Sequence, residues 1–450
     1  MTVTTQDLTI AGAARLLRSR KISPSELLEL YLARIAAVDP QVQAWISLHT
    51  EAARAHARTL DNRRIDDDTS PLFGIPYGAK DIFHTRGMPT EGGSLSRKGF
   101  IPNDSAEVID GLQGQGAILI GKTTTTEFAN WGNPPKTGNP WNLAHTPGGS
   151  SSGSAAAMAA RTALFTLGTQ TAGSLSRPAA FNGLTALKAT YGRITKAGVI
   201  PCSWSLDHVG AFTHTVEDAV LVFNAVSGPQ PRDETTHGLS KELLHIRECH
   251  GLKLGVIDSP WFKTADPEIL AAVDAALQVL QSEGCSLKSV SMPKSFEPAN
   301  HAHGQVMQAE CAAYHATAFR ESSELFGAYL QAFLAEGLKI SALDYIHAQR
   351  ARSLFRAEFA ASFDQLDVMV TPGTESLAPF GLQATGSPAY NMPFTNAGVP
   401  TLVLPIGISK TGLPMSMQLI APPLQEQRLI DIGLRYQAVT DWHLRVPQMG

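Results

Sequence analysis

The chain has 450 residues, 43% of them hydrophobic and 17% charged, and its 36 Lys and Arg against 40 Asp and Glu leave a formal net charge of −4. That composition suits a globular chain with a large buried core, the acidic balance argues against nucleic-acid binding, and no apolar run nears the ~20 residues of a membrane span. The N-terminus lacks the apolar core of a signal peptide, and Cys202, Cys249, Cys285 and Cys311 form no CxxC or Cys/His cluster, so a cytoplasmic location without zinc site or disulfide framework is expected.

Residues 5–60 read as helical. Ser23-Pro24-Ser25-Glu26 opens a helix with Ser23 or Ser25 as its cap, and Leu27, Leu28, Leu30, Tyr31, Ile35 and Ala36 fall on one stripe. After a polar loop over 61–69, a short strand within 72–83 ends on Lys80-Asp81; taken alone, such a lysine reads as a snorkelling edge residue. Gly116 to Thr123 matches the phosphate-loop pattern GxxxxGK[ST]. Its intervening residues are all apolar, where a phosphate cradle needs a loop, so a core strand over 117–120 is expected instead. The Pro-, Gly- and Asn-rich segment 123–141 carries Trp131 and Trp141, which either cap the core or line an entrance.

From Thr146 to Gly183 two Gly/Ser-rich turns are joined by a helix and a strand. Residues 148–153 lead into strong helix formers over 154–161, a buried strand follows over 163–168, and a second turn runs Thr169-Gln-Thr-Ala-Gly-Ser174. Glycines permit close backbone approach, and a helix N-terminus offers unpaired N–H groups at the positive end of its dipole. Such turns can aim hydroxyls and amides at one point, as a serine-based acyl-transfer site requires. Gly149-Ser-Ser-Ser-Gly153 also satisfies GxSxG, but nothing strand-like precedes it and no HGGG motif accompanies it, so the nucleophile elbow of α/β-hydrolases is set aside.

Further on, 184–193 is strand-like, 204–210 is a turn, and Thr215 caps a helix that ends at Gly228. Residues 229–250 read as a polar linker, 252–257 as a strand, 266–284 as an amphipathic helix and 300–363 as almost wholly helical. His301, His303, His315 and His347 show no metal-ligand spacing. A strand over 367–372, a hairpin over 398–420 and a helix over 425–440 complete the chain. Strands alternating with helices argue for an α/β fold with a mixed, mostly parallel central sheet flanked by helices on both sides. Length alone suggests two or three domains.

Lys80-Asp81, then Pro147-Gly-Gly-Ser-Ser-Ser-Gly-Ser-Ala-Ala, then Gly168-Thr-Gln-Thr-Ala-Gly-Ser-Leu-Ser-Arg-Pro-Ala resemble the amidase signature family. The likeness extends to Glu127-Phe, Ser205-Leu-Asp-His-Val-Gly, Thr215-Val-Glu-Asp-Ala and the C-terminal Gly398-Val-Pro and Gln-Leu-Ile420. It implies one domain over 1–450, with a signature core at about 71–228, a helical region at about 300–363 over the cleft, and strands and helix at about 367–445 completing the core. It also implies a Ser–cisSer–Lys triad: Ser174 as nucleophile, Ser150 as bridge after a cis peptide, and Lys80 as base, with no metal or organic cofactor. The backbone N–H groups of Thr171, Ala172, Gly173 and Ser174 would form an oxyanion hole.

The expected activity is hydrolysis of a small amide or carbamate, urethane- or anilide-like, by a monomer or homodimer with no nucleic-acid or membrane partner. Trp131, Trp141, Phe181, Trp204, Gly149, Gln170 and Arg177 are the candidate substrate-binding residues. The alternatives are the glutaminase subunit of a tRNA-dependent amidotransferase, or a non-catalytic scaffold. The family often has Asp where Gln170 stands, Gly at Ala172 and Arg at Ser176, where here Arg177 lies one place later. Ser152 replaces a common glycine, and the segment from Glu127 to Asn139 is shorter than in many members.

Overall fold

Eleven strands hydrogen-bond into one sheet in the computed structural model, which describes residues 4–66, 68–247 and 251–449; Cys249 lies outside them. They are β1 (Trp45–Leu48), β2 (Pro76–Lys80), β3 (Ile118–Thr123), β4 (Phe165–Gln170), β5 (Thr185–Lys188), β6 (His208–Thr213), β7 (Lys253–Ile257), β8 (Ser286–Val290), β9 (Val368–Pro372), β10 (Thr401–Ile408) and β11 (Pro414–Ile420), in the order β1-β3-β2-β4-β6-β5-β10-β11-β9-β7-β8. The sheet is mixed, as expected, and helices flank it on both sides. Parallel pairs do not dominate, however: among the described residues four pairings are parallel and six antiparallel. The reason is the centre of the sheet, where β6, β5 and the β10–β11 hairpin run antiparallel to their neighbours.

The helices are α1 (Ile10–Arg18), α2 (Pro24–Val42), α3 (Thr50–Asp61), α4 (Glu107–Gly114), α5 (Ser152–Ala159), α6 (Ser176–Asn182), α7 (Val216–Val226), α8 (Pro267–Ser282), α9 (Phe296–Glu321), α10 (Ala328–Gly337), α11 (Ala342–Ala361), α12 (Met392–Ala397) and α13 (Glu426–Val439). Ser23, not Ser25, caps α2: its hydroxyl accepts from the Glu26 N–H while the Glu26 carboxylate accepts from the Ser23 N–H, a capping box. Ser25 instead donates to Asp61, tying α2 to α3. Thr215 caps α7 as expected. Among the described residues no helix is long and apolar enough to cross a membrane.

Small residues bring α5 unusually close to the sheet. Every residue of Ser-Gly-Ser-Ala-Ala-Ala-Met-Ala is buried, so the helix has no solvent face and its polar groups must bond inward. The Ser154 hydroxyl donates to the Leu167 carbonyl of β4 at 2.9 Å, Thr166 donates back to the Ser154 carbonyl at 2.8 Å, and the Gly153 N–H donates to the Thr124 carbonyl at 3.1 Å. These bonds hold the start of α5 over the ends of β3 and β4. The α9, α10 and α11 helices pack on one another, and α9 and α11 also pack on α12.

Three local readings differ from the structure. The 204–210 turn gives way at His208 to β6, because pairing with both β4 and β5 satisfies a backbone that local propensity leaves open. The strand within 184–193 stops at Lys188. The polar segment after 229 is no loose linker: Asp233 accepts the N–H of Lys196 and the N–H and hydroxyl of Thr235, folding the segment back on the body.

Candidate active site

Lys80 is the last residue of β2, which lies between β3 and β4 in parallel register. All five residues of β2 are buried, so the amine cannot snorkel to water. It donates to the Ser150 hydroxyl oxygen at 2.7 Å and to the Thr169 hydroxyl oxygen at 2.8 Å. Burial brings its pKa down from the usual 10.5 to about 7, with the Arg177 charge adding to the fall and Cys202 and Asp207 opposing it. A neutral amine has a lone pair and can take the Ser150 proton across the same contact. Behind it the next residue, Asp81, meets the fully buried amine of Lys122 at 3.1 Å. That lysine, the one in the phosphate-loop pattern, also donates to the Phe83 carbonyl and the Thr90 hydroxyl. It closes a core strand.

Ser150 follows Gly149 through a cis peptide bond, immediately before α5. The Gly149 carbonyl accepts from the Arg177 guanidinium, which also donates to the Gly386 carbonyl at 2.8 Å and to the Thr385 hydroxyl at 3.2 Å. Arg177 is wholly buried, and burial lowers its pKa to about 9.

Residues 171–174 form the turn between β4 and α6, with Ser174 buried in it. Gln170 organises this turn. Its carbonyl oxygen accepts the N–H groups of Leu175 and Ser176 at 2.8 and 2.7 Å, capping α6, while its NH₂ donates to the Thr395 hydroxyl. Thr395 in turn donates to the Ala172 carbonyl at 2.8 Å. The N–H groups of Thr171, Ala172, Gly173 and Ser174 take no acceptor among the described residues. Four consecutive donors beside a buried serine can receive an oxyanion. The Thr171 hydroxyl is held by the Asp207 carboxylate at 2.5 Å.

A cavity of about 900 Å³ opens onto this region. Its wall includes Thr169 and Thr171, so it reaches the partner of the Lys80 amine, and further out Cys202, Trp204, Asp207 and Tyr314. The Trp204 and Tyr314 rings meet edge-on at 6.1 Å. Tyr314 comes from α9, so the helical region supplies part of the wall.

With this geometry in view, comparison with known proteins finds the Amidase family model matching residues 26–430. The chain belongs to the amidase signature family. Among its relatives is the first of the glutamyl-tRNA(Gln) amidotransferase subunits, from Roseiflexus sp. (strain RS-1), 36% identical over 480 aligned positions that span 98% of each chain. The native peptide amidase from Stenotrophomonas maltophilia superposes with a TM-score of 0.85 at 28% identity, over 98% of each chain. A 6-aminohexanoate cyclic dimer hydrolase shares the fold, with a TM-score of 0.90 at 24% identity over 99% of each chain.

Within this amidase-signature framework the structure brings Lys80 and Ser150 into contact and sets Ser174 in the turn that begins just after Thr169. The expected substrate-binding residues fare differently. Trp204 lines the cavity, as expected. Trp131 is half-buried and is not in the cavity wall. Trp141 and Phe181 pack with Ala378 and Leu413 in a separate apolar cluster, and the Trp141 indole N–H donates to the Asn182 carbonyl at 2.9 Å. Gly149, Gln170 and Arg177 have their polar groups committed to one another's backbone surroundings, as described above, and are corrected to structural roles. Their burial decides this, and sequence spacing carries no sign of it. Replacing Trp141 with Phe should therefore lower Tm by about 2 °C through the lost hydrogen bond while leaving KM unchanged, as thermal melts and substrate titrations would show.

Sequence reasoning assigned no role to Thr169, Asp207, Tyr314 or Thr395. Thr169 and Asp207 lie in recognisable motifs; Tyr314 and Thr395 come from distant segments, and no local signal marks them.

Proposed function

We propose that this chain hydrolyses the C–N bond of a carboxamide or carbamate through an acyl-enzyme on Ser174, within a single catalytic domain. The observation that carries the reading is the buried Lys80 amine, 2.7 Å from the Ser150 hydroxyl, with its basicity lowered to about 7. A solvated lysine would be protonated at neutral pH and useless as a base. In the proposed sequence Ser174 Oγ bonds to the substrate carbonyl carbon, and its proton passes to Ser150 as the Ser150 proton passes to Lys80. The tetrahedral oxyanion takes the N–H groups of residues 171–174. The C–N bond then breaks, the amine leaves with the proton returned through Ser150, and water repeats the attack to free the acid.

The substrate divides two readings. Kinship favours glutamine: at 36% identity across 98% of each chain, the glutaminase step of a glutamyl-tRNA(Gln) amidotransferase is the reading the relatives support over the small carbamate or anilide suggested by sequence. The chain would then work with further subunits. A free-standing amidase for apolar amides or carbamates is favoured by the Trp204 and Tyr314 rings in the cavity wall, which suit an aromatic group better than a glutamine side chain. Ammonia release from glutamine, with and without added amidotransferase subunits, should be compared with amine release from p-nitroanilides and aryl carbamates. Glutamine turnover that depends on the added subunits supports the first reading; anilide or carbamate turnover by the chain alone supports the second. A fluorophosphonate probe should label wild type and not Ser174→Ala. Equal labelling of both would overturn the nucleophile in either case.

A further inference from the structure

Asp207 ends a short loop that begins at Cys202, and both of its carboxylate oxygens are used. One accepts the Thr171 hydroxyl at 2.5 Å; the other accepts the N–H groups of Cys202 and Ser203 at 2.9 and 3.0 Å. The loop also closes on itself, since the Asp207 N–H donates to the Ser203 carbonyl at 2.8 Å. Thr171 is the first residue of the turn that carries Ser174, so this single carboxylate joins that turn to a loop from a distant part of the chain.

The far side of the loop is held equally firmly by the helical region. Glu310 of α9 accepts the Ser203 hydroxyl at 2.5 Å, the Ser205 N–H at 2.9 Å and the Ser205 hydroxyl at 2.7 Å. Arg352 of α11 donates to the Ser205 hydroxyl and carbonyl at 2.9 and 2.5 Å. The Tyr345 hydroxyl of α11 donates to Glu310 at 2.7 Å. Residues 202–207 thus form a braced strut between two helices and the turn. A strut fastened at both ends transmits position because neither end can drift without breaking buried hydrogen bonds.

We propose that Asp207 is a positioning residue for the amidase reaction, holding the 171–174 turn through the Thr171 hydroxyl so that its free N–H groups face the reacting carbonyl. The inference rests on the roles proposed above for Lys80, Ser150 and Ser174. The titratable and charged groups around Asp207 are Lys196, Lys80 and Cys202, with the Cys311 thiol hydrogen-bonded behind Cys202. Burial raises the Asp207 pKa to about 6, while bonds from Thr171, Ser203 and Cys202 and the Lys196 charge oppose the rise. Above that pH its negative charge favours the protonated form of Lys80. Removing the charge should make Lys80 a weaker base and move its titration to lower pH.

The test is the second-order rate of Ser174 labelling by an alkyl fluorophosphonate, measured from pH 5 to 9 for wild type, Asp207→Asn, Thr171→Val and Thr171→Ser. Thr171→Val keeps its N–H and loses only the hydroxyl, so its plateau rate should fall about tenfold while the acid limb stays where it is in wild type. Thr171→Ser restores the hydroxyl and should stay within about threefold of wild type. Asp207→Asn should lower the plateau and also move the acid limb to lower pH, a shift that a purely structural prop would not cause. If Asp207→Asn does not fold, the two Thr171 variants decide the question by themselves. Wild-type rates and limbs in Thr171→Val and Asp207→Asn would overturn the positioning role and leave the nucleophile standing. A wild type not labelled on Ser174 would overturn the nucleophile and this role with it.

Discussion

Lys80→Met will leave a folded protein without amide turnover. Methionine fills nearly the same volume in the buried slot at the end of β2, but its thioether cannot take a proton from Ser150. General-base catalysis by a positioned group is worth about 10²–10⁴-fold, and without it the serine stays a weak nucleophile, so a fall of at least about 10³ in kcat/KM is expected. In wild type the rate should rise with pH through about 7, because only the neutral amine can act as base. At pH 6 the neutral fraction, and with it kcat/KM, should stand at about one-tenth of the plateau.

The same substitution should raise stability at neutral pH. The unfolded chain carries this lysine at its usual 10.5 and the folded chain at about 7. Between those values the unfolded state binds more protons, so stability rises with pH across the window, and at pH 7 the wild type still bears the cost of stripping the proton. Lys80→Met removes that cost, on the order of a few kcal/mol. Melts at pH 7 and pH 10 would check it: the variant should gain at pH 7 and show less of the wild type's rise toward pH 10. Full amide turnover in the variant at neutral pH would end the proposed relay.

Gly153→Ala should do the most damage to the fold. The backbone conformation there is ordinary; the obstacle is space. A Cβ on Gly153 would lie 2.2 Å from the Ala44 carbonyl oxygen and 2.4 Å from both the Thr124 N–H nitrogen and its hydroxyl. Ala44 and Thr124 are already bonded to each other, and Gly153 donates to the Thr124 carbonyl, so no flexible side chain can yield. The start of α5 would have to lift off β3, carrying Ser150 away from Lys80. A loss of about 3 kcal/mol or more is expected, read as a fall of several degrees in Tm with loss of fluorophosphonate labelling in what remains folded. Gly304→Ala provides the contrast: its Cβ would meet nothing within 4 Å on an exposed face of α9, so that variant should gain up to about 1 kcal/mol. A Gly153→Ala protein that melts with wild type would refute the close packing of α5.

Much of the scaffold was legible because it depends on neighbours in sequence. The Ser23–Glu26 box, the Thr215 cap, the apolar strand behind the false phosphate loop and the helices of 300–363 each rest on spacing over a few residues. Readings failed where a partner came from afar. The β6 strand exists through its pairing with β4 and β5, and β8 through its pairing with β7, so neither reads clearly from its own residues. Trp141 and Phe181 look like pocket aromatics in a loop-rich stretch, yet they pack against Ala378 and Leu413 from the other end of the chain.

By itself, the order of residues determined the family, the two Gly/Ser-rich turns and the small side chains that let α5 sink against the sheet. Only the tertiary structure decided which polar groups are spent and which are free. Arg177 and Gln170 have their hydrogen bonds committed to backbone, while Lys80 meets just two hydroxyls in a place water does not reach. The physical reason is that turn and helix preferences act over a few bonds. Desolvation and hydrogen-bond satisfaction depend on every atom nearby, and at this site those atoms come from segments scattered between β2 and α12.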